Sequence, residues 1–244
     1  MTTILVFVLF INTKKIYSNA DFGNAFEKKA IAAENKLQAM QQNFMLCTSI
    51  SESNVHFMQS IVFPEVMRYN ALKDGIESES LKTLYVQFGE EYANFSIGIF
   101  QMKPSFAEMV EIKCKQILPA NVYDELQLKY KEETAENIRA KRIERLTDDD
   151  WQLIYLTAFI AICNKKFSSK NFVNDTEKLQ WYASVYNAGF DKTDEYISKK
   201  IKEANFYLEE QMPGKKFKYA AIASYYFNKF SIKNNKLKLG TLPN

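Results

Sequence analysis

Apolar residues in the N-terminal part of this chain recur at a helical period. Between residues 21 and 45 they are spaced by three and four positions, as on one face of an amphipathic helix: Phe22, Phe26, Ala30, Ala33, Leu37, Met40 and Phe44. The sequence has only 7 Gly and 5 Pro in 244 residues, which is few for the many turns of a β-sandwich or barrel. We therefore predict an all-α protein.

Start and stop signals place several further helices. A helix is predicted over residues 55–72, and Pro64 either kinks it or restarts it. Pro104 is expected to open another helix, and Asp148 to Asp150 are expected to cap an apolar one over residues 151–162. A helix that begins near Asp175 should end at the Asn-Ala-Gly sequence of residues 187–189.

The first twenty residues differ in character from the rest of the chain. Ile4 to Ile11 is an unbroken run of eight apolar residues, too short to span a bilayer and typical of the core of a signal peptide. Ser18 and Ala20 provide the small residues that a signal peptidase reads. We predict a signal peptide over residues 1–20 and an exported protein, periplasmic or extracellular. No Lys or Arg precedes the run, and a buried N-terminal strand or helix is the alternative.

The remaining sequence predicts one helical domain with short additions. Residues 21–54 are predicted to form an N-terminal helical extension, residues 55–230 the domain and residues 231–244 a fraying tail. Residues 124–150 are crowded with charges and carry only a narrow apolar stripe, which predicts a mostly solvated helical insertion. No linker rich in Pro or Ser divides the chain, so one domain is expected.

Charge and rare residue types exclude several classes of function. Without residues 1–20, which hold two Lys and no acid, the net charge falls from +3 to +1, so a nucleic-acid partner is not expected. His56 is the single histidine, and the sequence shows neither a Gly-rich phosphate loop nor metal-ligand spacing, so we predict no metal and no cofactor. Cys47, Cys114 and Cys163 form no C-x-x-C pair; one disulfide with one free thiol, or three buried thiols, are both open.

Three short segments, in a fixed order, resemble a known family of enzymes. Residues 61–69 (IVFPEVMRY) place Glu65 in an apolar stretch, residues 96–104 read SIGIFQMKP, and residues 182–189 read YASVYNAG. They resemble the catalytic domain of soluble lytic transglycosylases and the related goose-type lysozymes. That family has a glutamate at the end of an apolar helix, then G-x-x-Q-h-x-P (h being apolar), then Y-N-A-G. The resemblance covers residues 55–230.

The resemblance implies a lysozyme-like fold and a peptidoglycan lytic transglycosylase. Such an enzyme cleaves the β-1,4 bond between MurNAc and GlcNAc and leaves 1,6-anhydro-MurNAc ends, with Glu65 as the sole general acid and base. Its partners would be peptidoglycan glycan strands, and cell-envelope machinery is left open as a further partner. The resemblance also implies the substrate-binding residues, which are Gly98, Gln101, Tyr186, Asn187, Gly189 and Tyr219.

Elementary chemistry gives each of these residues a role. Glu65 among apolar neighbours should lose hydration, which raises its pKa and suits a general acid near neutral pH. Gly98 would let the backbone approach the sugar, and the Gln101 amide can donate and accept hydrogen bonds. Tyr186 is expected to donate a hydrogen bond to the Glu65 carboxyl. Asn187 and Gly189 would form a turn on the groove floor, or else an ordinary helix end.

The sequence leaves alternatives to the transglycosylase open. Glu90 and Glu91 could supply a second carboxylate, as a hydrolytic lysozyme would use. The family usually has Ser after its glutamate and Pro or Gly after its third segment, where this chain has Val66 and Phe190. Val66 in place of Ser and the atypical signal peptide favour a non-catalytic glycan-binding module as a second alternative. A third keeps the enzyme and assigns chitin-like oligomers as its substrate.

Overall fold

Helices dominate the structure, as the apolar periodicity predicted. The computed structural model describes residues 27–69, 71–132, 134–208 and 216–239, and the side chains of all of these except residues 71–78 and 230–239. Within these ranges twelve helices follow one another: α1 (Glu27–Ala39), α2 (Gln41–Leu46), α3 (Thr48–Ser51), α4 (Val55–Arg68), α5 (Ala71–Phe88), α6 (Pro104–Ile117), α7 (Ala120–Glu125), α8 (Ala135–Thr147), α9 (Asp149–Lys166), α10 (Asp175–Ala188), α11 (Asp194–Lys202) and α12 (Tyr219–Leu239).

Helix α4 lies at the centre of the molecule and is buried on all sides from residue 57 to residue 67. It packs against α1, α10 and α12. The Asn54 side chain caps its start by accepting a hydrogen bond from the Phe57 N–H. Pro64 lies inside the helix, which continues through it and does not restart. A helix without a polar face is stable only when surrounded by other helices, and this explains its central place.

Helix α9 is the second buried helix and packs against α3, α6 and α8. Its start agrees with the prediction, since the Asp148 side chain accepts a hydrogen bond from the Trp151 N–H at 2.9 Å. Residues 152–163 are buried, except Ile154, which is partly buried. The side chain of Gln152 lies in this apolar surface and bonds to the loop that leads into α6. Helix α9 therefore supports one wall of the site described below.

The charged segment is not the single helix that was predicted, although most of its described residues are exposed as expected. Helix α7 ends at Glu125, and α8 begins at Ala135 after an irregular stretch. On α8, Arg142 and Arg145 are only 6% and 5% exposed. The Arg142 guanidinium lies 2.6 Å from Glu111 Oε2 and 2.9 Å from Glu108 Oε1, both on α6. Buried charges survive when they are paired, and this pairing brings the segment into the packed structure.

The N-terminal extension and the end of the chain also join the fold. Helices α1 to α3 cover residues 27–51, and Gln59 on α4 donates a hydrogen bond to the Leu37 carbonyl oxygen at 2.9 Å. Helix α12 runs to Leu239, beyond the position where the fraying tail was predicted to begin. The predicted signal peptide, residues 1–20, lies outside the described residues. The described residues contain no helix that is long and apolar enough to cross a membrane.

The three cysteines are free thiols, which decides between the two alternatives left open. Cys114 and Cys163 are buried, and Cys47 is partly buried. Burial raises the pKa of the Cys114 thiol to about 12, so this group stays protonated and packs as a small apolar residue.

Candidate active site

Glu65 lies in the last turn of α4, where its side chain reaches the wall of a cleft. The residue is 3% exposed, and its backbone carbonyl accepts the N–H of Tyr69, which ends the helix. Burial raises the pKa of Glu65 to about 7, against the opposing effects of Arg68, Lys103 and Asn187. A carboxyl with this pKa exchanges a proton with its surroundings at neutral pH.

The cleft beside Glu65 has a volume of about 640 Å³, within the range of small-molecule sites. Four of the other predicted site residues line it together with Glu65: Gln101, Tyr186, Asn187 and Gly189. These residues come from α4, from the loop before α6 and from the end of α10. The structure thus brings together the three segments that were singled out in the sequence.

The loop before α6 is a tight turn held by two backbone hydrogen bonds. Ile97 and Met102 exchange them at 2.9 and 3.1 Å. At its start Gly98 has a φ of +67°, and a Cβ atom placed there would lie 1.7 Å from Nε2 of Gln152. The close approach that Gly98 allows in this structure is that of Gln152, and the approach of its backbone to a sugar stays a prediction. The small residue makes room for Gln152, and Gly98 is not among the residues that line the cleft.

Gln101 occupies the exposed side of the same turn and lines the cleft as predicted. Its φ is +52°, which is uncommon for a residue with a side chain. Its Nε2 donates a hydrogen bond to the Gly98 carbonyl oxygen at 3.0 Å. Strained backbone of this kind persists where the surroundings impose it and is frequent at functional sites.

Tyr186 lines the cleft but does not bind the Glu65 carboxyl as predicted. Its hydroxyl donates to the Phe100 carbonyl oxygen at 2.8 Å, and its ring packs edge-on against Phe106 and Phe159. The polar side chain of α10 that lowers the pKa of Glu65 is Asn187. Tyr186 therefore joins α10 to the loop before α6, and Asn187 contacts the carboxyl.

Gly189 fits both interpretations that the sequence allowed. It ends α10 with a φ of +101°, and its N–H donates to the Val185 carbonyl oxygen at 2.7 Å. It also lines the cleft, and a Cβ atom at this position would meet no heavy atom within 4 Å. Gly189 therefore both ends the helix and forms part of the cleft wall.

Tyr219 lies beneath the site and is not among the residues that line the cleft. It is 2% exposed, and its hydroxyl donates to the Ile61 carbonyl oxygen on α4 at 3.0 Å. Its ring contacts Phe206 edge-on, with the centroids 5.0 Å apart. The structure gives Tyr219 a supporting role under α4, and its contact with a sugar stays a prediction.

Two cations near Glu65 were missed in the sequence. Arg68 Nη2 lies 2.7 Å from Glu65 Oε2, and Lys103 is the second cation that lowers the pKa of this carboxyl. Both line the cleft. Arg68 follows Glu65 by three positions on one helix, a spacing that places two side chains side by side, so the sequence held the signal for this pair. Nothing in the local sequence around Lys103 indicates its neighbour.

The two acids predicted as a second carboxylate occupy different positions. Glu90 lines the cleft, and its pKa is raised by burial and by the nearby charges of Glu108 and Glu91. Glu91 is exposed. Of the two, Glu90 is therefore the one that a molecule in the cleft could meet.

Comparisons with protein-family models, with curated proteins and with solved structures found no match to this chain. The interpretation of the cleft therefore depends on its own geometry and on the three segments that line it. Those segments meet around one buried carboxyl, and this arrangement is the basis of the proposal that follows.

Proposed function

We propose that this protein is a peptidoglycan lytic transglycosylase with a lysozyme-like fold, acting outside the cytoplasm. The observation that carries the proposal is the position of Glu65, a buried carboxyl with a pKa of about 7 that opens onto a cleft. A general acid must be protonated at the working pH, and an ordinary glutamate would already have lost its proton. The meeting of Gln101 and Asn187 in the same cleft supports a substrate rich in amide and hydroxyl groups.

In the first step Glu65 gives its proton to the glycosidic oxygen between MurNAc and GlcNAc. The bond from that oxygen to C1 of MurNAc breaks, and the electron pair leaves with the GlcNAc hydroxyl. C1 becomes electron-poor, and the N-acetyl group of the same sugar can stabilise it. Asn187 already contacts Glu65 and can hold the carboxyl towards the leaving oxygen.

In the second step the C6 hydroxyl of MurNAc attacks C1 and closes a 1,6-anhydro ring. Its proton returns to the Glu65 carboxylate, so the enzyme is regenerated and no water is consumed. Lys103, a cation that lowers the pKa of this carboxyl, stabilises the ionised form between the two steps. One carboxyl thus serves as acid and then as base.

The test is digestion of purified peptidoglycan by the wild type and by Glu65→Gln, with the products identified by mass spectrometry. We expect anhydro-muropeptides from the wild type and a loss of at least about 100-fold in rate for the variant, since general acid-base catalysis contributes this much or more. Glu144→Gln, which removes a carboxylate that is 67% exposed, is the matched control. A wild type that binds peptidoglycan but is as inert as Glu65→Gln would replace this proposal with a glycan-binding module.

The position of Glu90 favours one second candidate, a hydrolytic lysozyme. A second carboxylate in the cleft could activate a water molecule, and then the products would carry reducing MurNAc ends. Reducing ends from the wild type, lost in Glu90→Gln while Glu65 is intact, would establish the hydrolase and exclude the anhydro product.

A further inference from the structure

The ion pair between Arg68 and Glu65 is open to the cleft on the arginine side. The Arg68 side chain is 34% exposed and the Glu65 side chain only 4%. The Nε atom of Arg68 is buried and has no hydrogen-bond partner among the described residues. A guanidinium carries five N–H groups in a planar fork that suits carboxylates, so this side chain can bind more than the one contact it makes.

The Arg68 guanidinium has a second support, which does not depend on Glu65. It lies over the Phe206 ring, with 5.1 Å from its carbon to the ring centroid. Phe206 is fixed by two backbone hydrogen bonds with Phe217, at 3.0 and 2.8 Å, and by its contact with Tyr219. If Arg68 releases Glu65, this support still holds the cation at the cleft wall.

The surroundings of Glu65 favour an anion in this part of the cleft. The pKa of the carboxyl is lowered by Arg68 on its own helix, by Lys103 and by the Asn187 side chain on α10. Of the titratable groups on α10 and α12, the hydroxyls of Tyr186 and Tyr219 are the ones that interact with Glu65, and burial keeps both protonated. A ligand carboxylate in this part of the cleft would thus lie near two cations, Arg68 and Lys103. The neighbouring carboxyl of Glu65 would not repel it once Glu65 has taken up a proton.

We propose that Arg68 binds the free lactyl carboxylate of a MurNAc unit, and that this carboxylate competes with Glu65 for the guanidinium. The inference rests on the proposed function and names its substrate class: glycan strands from which an amidase-type reaction has removed the stem peptides. When Arg68 turns to the ligand, Glu65 loses its neighbouring cation and takes up a proton from solvent. Binding of the acidic sugar then produces the protonated acid that cleavage requires.

The test is binding of the disaccharide GlcNAc-MurNAc, which lacks the MurNAc-GlcNAc bond and so is not cleaved. It is compared by calorimetry with the same disaccharide carrying its lactyl group as an amide. We expect the wild type to prefer the acid by about tenfold, the size of one good charge-assisted contact. At pH 7.5, in buffers of different ionisation heat, the acid should bind with uptake of up to about one proton and the amide with none.

Variants separate competition from a merely structural ion pair. Arg68→Gln should lose the preference for the acid, and Arg68→Lys should keep part of it. Glu65→Gln removes the competitor, so it should bind the acid more tightly than the wild type and without proton uptake. Lys192→Gln, a change of another cation of the cleft, should retain the preference.

Two results would overturn the inference: equal binding of acid and amide by the wild type, or an unchanged preference in Arg68→Gln. If Arg68→Gln does not fold, the Arg68→Lys and Glu65→Gln measurements decide by themselves. Cleavage of peptidoglycan without a preference for the acid would refute the inference and leave the proposed function standing. Absence of both cleavage and disaccharide binding would refute the function itself.

Discussion

The substitution Glu65→Gln tests whether the fold holds this carboxyl in a dehydrated place. Glu65 is 3% exposed, and burial raises its pKa from an ordinary 4.5 to about 7. One pKa unit corresponds to about 1.4 kcal/mol, so the ionised form costs the fold about 3 kcal/mol relative to the protonated form. The contribution of Arg68 is already included, because it acts on the same pKa. Gln has no titrating proton, and its contribution to stability does not change with pH.

The sign of the effect follows from which state holds the proton. Well below pH 4.5, Glu65 is protonated in both the folded and the unfolded chain. Between pH 4.5 and about 7 the unfolded chain releases the proton while the folded protein keeps it, so wild-type stability falls as the pH rises. The unfolding free energy of Glu65→Gln minus that of the wild type should therefore increase by about 3 kcal/mol from pH 4 to pH 8.

Urea titrations of both proteins at a series of pH values give this difference directly. Subtracting one protein from the other removes the effect of all titrating groups that the two share. Glu144→Gln, at a carboxylate that is 67% exposed, should give a difference that changes by less than about 0.5 kcal/mol over the same range. A Glu65→Gln difference as flat as this control would refute the claim that the carboxyl is dehydrated in the folded protein.

Two further predictions concern stability. Gly98→Ala should destabilise the protein by about 2–4 kcal/mol, because φ is positive there and the new Cβ atom displaces the hydrogen-bonded Gln152 amide. Gly189→Ala is the control, since the space around its Cβ atom is open, and it should cost only about 1 kcal/mol. Equal losses of the two variants in urea titrations would contradict this prediction. Arg142→Met should cost about 3–5 kcal/mol because it leaves the largely buried Glu111 without its cation. Glu111→Leu in the same chain should recover part of this loss in thermal unfolding, and additive losses would show that the two charges are not coupled.

Helix type and several helix starts could be predicted because their causes are local. The Asp148 side chain caps α9, and Pro104 occupies the first turn of α6, since both effects act within one turn of the chain. The end of α10 at Gly189 was predictable for the same reason. Helix α4 ends at Arg68, four residues earlier than predicted. The sequence around residues 68–72 has no Gly or Pro that would mark the end of a helix.

The burial of Arg142 in the charged segment was missed because it depends on partners far along the chain. Arg142 is a polar residue by any local measure, and its neighbours Glu108 and Glu111 precede it by 34 and 31 positions. Period and composition describe one helix at a time, so they predicted a solvated face. Only packing of α8 against α6 makes the ion pairs and brings these charges inside.

The sequence predicted which residues form the candidate site better than it predicted the contacts between them. Glu65, Gln101 and Asn187 meet in one cleft, as their order in three segments suggested. The predicted acceptor for the Tyr186 hydroxyl was wrong, because the sequence does not show whether a hydroxyl will bind a carboxylate or a backbone carbonyl such as that of Phe100. The same limit applies to Tyr219, whose contact with Ile61 joins positions 158 residues apart.

The hydrogen bond from the Tyr186 hydroxyl to the Phe100 carbonyl has a consequence for any molecule that enters the cleft. It fastens the end of α10 to the turn that carries Gln101, and it is buried at both ends. The width of the opening is therefore set before a ligand arrives, and little ordering of the protein accompanies binding. A ligand that does not fit the cleft must distort its own sugar rings, because the backbone on the two sides of the opening does not move apart.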